Sequence, residues 1–97
     1  GHDLVMVARR GERLAALARE LATRHGVAAW PVPIDLGEAD AIARLLTMLP
    51  DAPVARLINN AGYGVPGRYL DSAWEVHARF QRVMIESVAE LTHALLP

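Results

Sequence analysis

Three short stretches of this chain carry residue types that could do chemistry, and each directly follows an apolar run. Arg9-Arg10 comes after Leu4-Val5-Met6-Val7-Ala8, and Asp35-Leu36 after the stretch from Ala28 to Ile34. The third, Asn59-Asn60-Ala61-Gly62, follows Val54 to Ile58. Paired guanidiniums offer planar forks of donors that suit a phosphate. A carboxylate accepts from amino or hydroxyl groups, and a turn ending in glycine lets a ligand approach backbone closely. Each stretch also has a plain structural reading. Two arginines ahead of a helix can be solvated surface, Asp35 can cap the helix that follows, and Asn-Asn-Ala-Gly can be a turn at positive φ. No one of them is specific alone. Their joint occurrence at three successive strand ends is the signal.

The elements that must position them follow from periodicity. Leu4–Ala8 is a continuous apolar run, as in a strand covered on both faces. From Glu12 to about Arg24 the spacing turns helical, with Leu14, Leu17, Ala18 and Leu21 on one side, and His25-Gly26 supplies a stop. Ala28 to Ile34 reads as a second strand, short or near a sheet edge because Pro31 and Pro33 cannot donate to a ladder. A helix is predicted from about Glu38 to Leu49, broken by Pro50-Asp51-Ala52-Pro53. Val54–Ile58 reads as a third strand, residues 59–67 as a loop, and Ser72 to Leu96 as one long helix. Alternating strands and helices predict an α/β fold with a parallel sheet and helices on both faces. In such a sheet, ligands lie beyond the carboxyl ends of the strands. All three stretches then share one rim.

Composition narrows the classes. With 97 residues, 53% hydrophobic and 22% charged, the chain is globular in type and has the size of one small domain or part of a larger one. Its formal net charge of −1 provides no field for nucleic acid or an anionic membrane. All ten basic residues are arginine, and there is no cysteine. A cysteine-free chain without a membrane-length apolar run or signal peptide reads as soluble and cytoplasmic. His2, His25, His77 and His93 share no metal-ligand spacing, so no metal site is expected.

In their order and spacing, Arg9-Arg10, Asp35-Leu36 and Asn59-Asn60-Ala61-Gly62 resemble the short-chain dehydrogenase/reductase family. The stretch Val88-Ala89-Glu90-Leu91-Thr92-His93-Ala94-Leu95-Leu96-Pro97 is similar to the end of that family's long interface helix. The resemblance covers essentially the whole chain. It implies a Rossmann-like doubly wound parallel sheet, present here in part, with residues 1–97 belonging to one dinucleotide-binding domain. It also implies hydride transfer between a nicotinamide cofactor and a small-molecule carbonyl or alcohol substrate. By the same comparison, Arg9 and Arg10 stand where enzymes that prefer NAD commonly carry an acidic residue, so NADP(H) is the expected cofactor. Asp35 would meet the adenine amino group with Leu36 backbone in reach, and Asn60, Ala61 and Gly62 would line the cofactor riboses. A homodimer or homotetramer would form through the long helix. A non-catalytic NAD(P)-binding sensor of the same fold is the rival from another class, and an unrelated α/β domain with coincidental turns is a third reading.

Set against the family pattern, several parts are missing. The glycine-rich turn and the strand before it, expected between the strands ending at Ala8 and Ile58, are not in this sequence, nor are the catalytic serine, tyrosine and lysine. Tyr63 and Tyr69 are no substitutes, because Gly67 and Ala73 stand four residues on, where the motif needs lysine. No catalytic residue is assigned. The long helix also reads about one turn, roughly 3.6 residues, short. Only Ser87 lies between Met84-Ile85-Glu86 and Val88, where the family carries an asparagine and a valine. Either residues are deleted there or they are omitted from the sequence, and omission is the expectation because a deletion would fall on a catalytic position. Without the intervening strand, the isolated 97 residues are expected to be aggregated or molten.

Overall fold

A computed structural model describes residues 2–96; Gly1 and Pro97, the latter the last residue of the stretch compared above, lie outside the described residues. Strand β1 (Leu4–Ala8) leads into helix α1 (Gly11–His25), strand β2 (Ala29–Pro33) and helix α2 (Ala41–Met48). After a long irregular stretch come a 3-10 turn (Tyr69–Asp71), helix α3 (Trp74–Gln81), a π turn (Arg82–Glu86) and helix α4 (Ser87–Leu95).

The two strands pair in parallel from Leu4↔Ala29 to Ala8↔Pro33. Their register decides which residues face which layer, because strand side chains alternate with period two. Val32 and Ile34 are buried with Ala41, Ile42, Leu45 and Leu91, and Val5 and Val7 pack against that cluster. Pro33 points the other way, toward Gly11 at the start of α1. Buried Leu14 and Ala18 close that second layer. Helices therefore cover both faces of the strand pair. The prolines fit because the pairing is short and β2 lies at its edge.

The helix ends follow local chemistry. Gly26 adopts φ +63° and donates its N–H to the Ala22 carbonyl, ending α1 in a left-handed cap. Helix α2 begins later than its sequence predicts, at Ala41 rather than Glu38. Residues 35–41 form successive turns instead, with Glu38 N–H donating to Asp35 O and Ala41 N–H to Glu38 O.

One expectation is corrected. Val54–Ile58 is not a strand: among the described residues it makes no ladder with β1 or β2, and the sheet there has two strands. A strand exists only where a neighbour supplies its hydrogen-bond partners, and none lies beside this segment. Ile58 is left 80% exposed, with Val54 and Leu57 also open.

The long helix runs from Trp74 to Leu95 with one irregularity. In the π turn Arg82–Glu86 the Ser87 N–H reaches back five residues to the Arg82 carbonyl, and buried Ser87 Oγ donates to Val83 O at 2.6 Å. The short spacing noted before Ser87 thus closes into continuous helix through a widened turn. Such turns often lie beside functional sites.

Candidate cofactor rim

Parallel pairing brings the ends of β1 and β2 side by side, so Arg9 and Asp35 emerge on the same edge. The loop from Asn59 to Gly62 reaches that edge without being part of the sheet. Tyr63 meets Phe80 of α3 edge-on, with ring centroids 5.5 Å apart. A β-carbon on Gly62 would lie 3.0 Å from Met84 Sδ, so the loop sits against the long helix as closely as glycine allows. Neither Asn59 nor Asn60 has positive φ, so this segment is not the tight left-handed turn its sequence also permits.

Between these walls runs an open groove of about 940 Å³. It is lined by Arg9, Asp35, Leu36, Asn60, Ala61 and Gly62, six of the seven residues expected to contact a cofactor. Val5 and Val7 of β1, Leu57 and Ile58 of the irregular stretch, and Leu91 and Leu95 of α4 add apolar lining, while His2, Asp3, Arg56, Asn59, Arg79 and Ser87 add polar groups. Arg10 is the exception. It lies with Arg9 and Arg13 on a smaller neighbouring concavity of about 330 Å³ at the start of α1.

The charges at the rim are arranged unequally. Among the described residues no ion pair or side-chain hydrogen bond involves Arg9 or Arg10, so both guanidiniums keep their donors. Arg10 is the N-cap residue of α1 and supplies no capping hydrogen bond, which leaves the first helical N–H groups without a side-chain cap. A helix N-terminus with free N–H groups favours an anion. Glu12 in the same turn opposes that preference in part.

Asp35 is already engaged. Its Oδ1 accepts the Gly37 N–H at 2.8 Å, and its Oδ2 accepts from the Arg79 guanidinium. It does not cap α2, which begins six residues later. Arg82 adds a bond from Nη1 to the Gly37 carbonyl at 2.7 Å. The sequence reading did not single out Arg79 and Arg82. The available signal was two arginines at i, i+3 beside the apolar residues Phe80 and Val83, a spacing that puts both on one side of a helix. Among the described residues no three His, Asp or Glu side chains converge on a metal position, and no helix is long and apolar enough to cross a membrane.

Comparison with known proteins bears on this arrangement. No family model matches the chain. It is 42% identical over 64 residues to a probable NADP-dependent dehydrogenase of Dichelobacter nodosus, a match spanning 64% of this chain and 57% of that protein. It is 33% identical over 102 residues to sulfoacetaldehyde reductase 2 of Chromohalobacter salexigens, covering all of this chain and 39% of the reductase. Among solved structures, a short-chain dehydrogenase from Sphingobium yanoikuyae in complex with NADPH superposes with a TM-score of 0.86 at 34% identity. That match takes in 100% of this chain and 39% of the dehydrogenase. The chain therefore spans between about two-fifths and three-fifths of the length of these proteins. The strand–helix alternation, the shared rim and these three likenesses converge: the chain belongs to the short-chain dehydrogenase/reductase family and carries part of its Rossmann fold.

Proposed function

We propose that this chain supplies the adenosine side of the cofactor site in an NADP(H)-dependent oxidoreductase. The observation that carries the reading is the pair of uncommitted guanidiniums, Arg9 and Arg10, at the end of β1 and the start of α1. A 2′-phosphate placed there meets two arginine forks and a helix N-terminus together. Asp35 and Leu36 take the adenine, and Asn60, Ala61 and Gly62 take the riboses. The NADPH bound by the Sphingobium enzyme and the similarity to a probable NADP-dependent dehydrogenase of Dichelobacter support the choice of cofactor.

Residues 1–97 are then one part of a single dinucleotide-binding domain. A further strand, lying in the groove between β1 and residues 54–58, would pair both and remove their edges from water. The complete protein transfers a hydride between the nicotinamide and a small carbonyl or alcohol substrate, with the catalytic groups supplied by other residues. The exposed apolar side chains Trp74 and Ile85, about three turns apart on the long helix, suit packing against a second copy, giving a homodimer or homotetramer. Its place is the cytoplasm, and nucleic acid and membrane are not partners.

The cofactor reading is tested in the natural protein that contains this chain. Changing Arg9→Asp and Arg10→Ser together removes two charge-assisted donors. NADPH binding should weaken about 100-fold, with NADH changed several-fold at most. Equal loss for both cofactors would remove the phosphate-clamp argument.

A further inference from the structure

The carboxylate expected to read the adenine is gripped by a residue from a distant element. Arg79 reaches Asp35 from α3, 44 positions along the chain. Its stem lies across Gly37, where a β-carbon would sit 2.7 Å from both Arg79 Cγ and Nη1. Contact with the stem as well as the tip means that rotating the end of the side chain would not relieve the clash. Arg82, one turn along the helix, holds the Gly37 carbonyl from the other side. The β2–α2 turn is thus held at Asp35 Oδ1, Asp35 Oδ2 and Gly37 O at once. Asp35 and Arg79 line the same groove as Asn60 and Gly62.

Stability alone does not account for this contact. The Arg79 side chain is 41% exposed and that of Asp35 18%. An ion pair open to solvent on one side contributes little to the fold. What the contact does fix is direction. Each carboxylate oxygen has two lone pairs, so after accepting one hydrogen bond each oxygen of Asp35 keeps another site in a set orientation. A pre-set acceptor loses less freedom when a ligand binds.

We propose that Arg79 is a positioning residue for base recognition: it locks the Asp35 rotamer so that the carboxylate presents a fixed acceptor to the 6-amino group of the adenine. Gly37 is the partner that leaves Arg79 room to do so. The inference rests on the reading of this rim as the adenosine site.

The test compares NADPH with its hypoxanthine analogue, in which a 6-oxo acceptor replaces the 6-amino donor. Binding to the natural protein is followed by fluorescence of the reduced nicotinamide, and thermal unfolding is recorded alongside. The unchanged protein should prefer adenine by about tenfold or more, the effect of one hydrogen bond to a charged group. Arg79→Gln should reduce that preference to about threefold or less while leaving the NADPH-over-NADH ratio intact. Gly37→Ala should do the same by displacing Arg79, and Arg79→Lys should restore part of the preference. If Arg79→Gln keeps the full adenine preference, or weakens NADPH, NADH and the analogue by one common factor, the positioning role is overturned. No preference between the two bases in the unchanged protein would instead sink the adenosine reading beneath it.

Discussion

Residues 4–8 and residues 54–58 are both short apolar runs leading to a polar rim, yet they end in different states. β1 is paired along its length with β2, and Val5 and Val7 pack on the buried cluster of Val32, Ile34, Ala41 and Leu45. The second run has no ladder, and Ile58 stands 80% exposed. The two differ in their neighbours far more than in residue type. α1 returns the chain so that β2 can lie beside β1, whereas the groove of about 940 Å³ separates β1 from residues 54–58. A strand is a property of a pair. The apolar run records which face wants burial, and the partner decides whether burial happens.

The sharpest way to break this comparison is to isolate it. The 97 residues produced alone should be aggregated or molten, because β1 has an open edge and Val54, Leu57 and Ile58 face water. A cooperative thermal transition with sharp, dispersed amide resonances would show that the chain buries these edges unaided. Next in size are two truncations in the natural protein, followed by urea unfolding. Leu45→Ala, at the centre of the packed half, should cost about 2–5 kcal/mol. Ile58→Ala should cost a similar amount there if the open segment finds its strand partner. A loss of less than about 0.5 kcal/mol at Ile58 would mean that the segment stays outside any sheet. The smallest effect is local to the packed half. Gly26→Ala puts a β-carbon on a backbone at φ +63° and should cost about 1–2 kcal/mol, read as a lower unfolding midpoint. No change would mean that α1 can end otherwise.

Much of the packed half was legible because its signals are local. The apolar run Leu4–Ala8 became β1 with the same bounds, the 3.6-residue stripe became α1, and Gly26 ended it. The late start of α2 was not legible, since Asp35 and Glu38 spend their carbonyls on turns before Ala41. Residues 54–58 differ for a related reason: Val54–Ile58 has the composition of a strand, but pairing is a long-range fact.

The site divides along the same line. Residue types and spacing placed Arg9, Arg10, Asp35 and Leu36 at the ends of β1 and β2, which parallel pairing brings out on one edge. Asn60, Ala61 and Gly62 instead reach the groove from a segment that is not a strand. Six of the seven line one groove, while Arg10 turns to the neighbouring concavity at the head of α1. Only the tertiary structure decided that Asp35 is held by Arg79 and that Gly37 is fixed between Arg79 and Arg82. Those contacts join positions more than forty residues apart. They depend on where α3 lies over the β2–α2 turn, and that placement is set by packing of whole elements. Local pattern chose the elements; packing chose which charges meet.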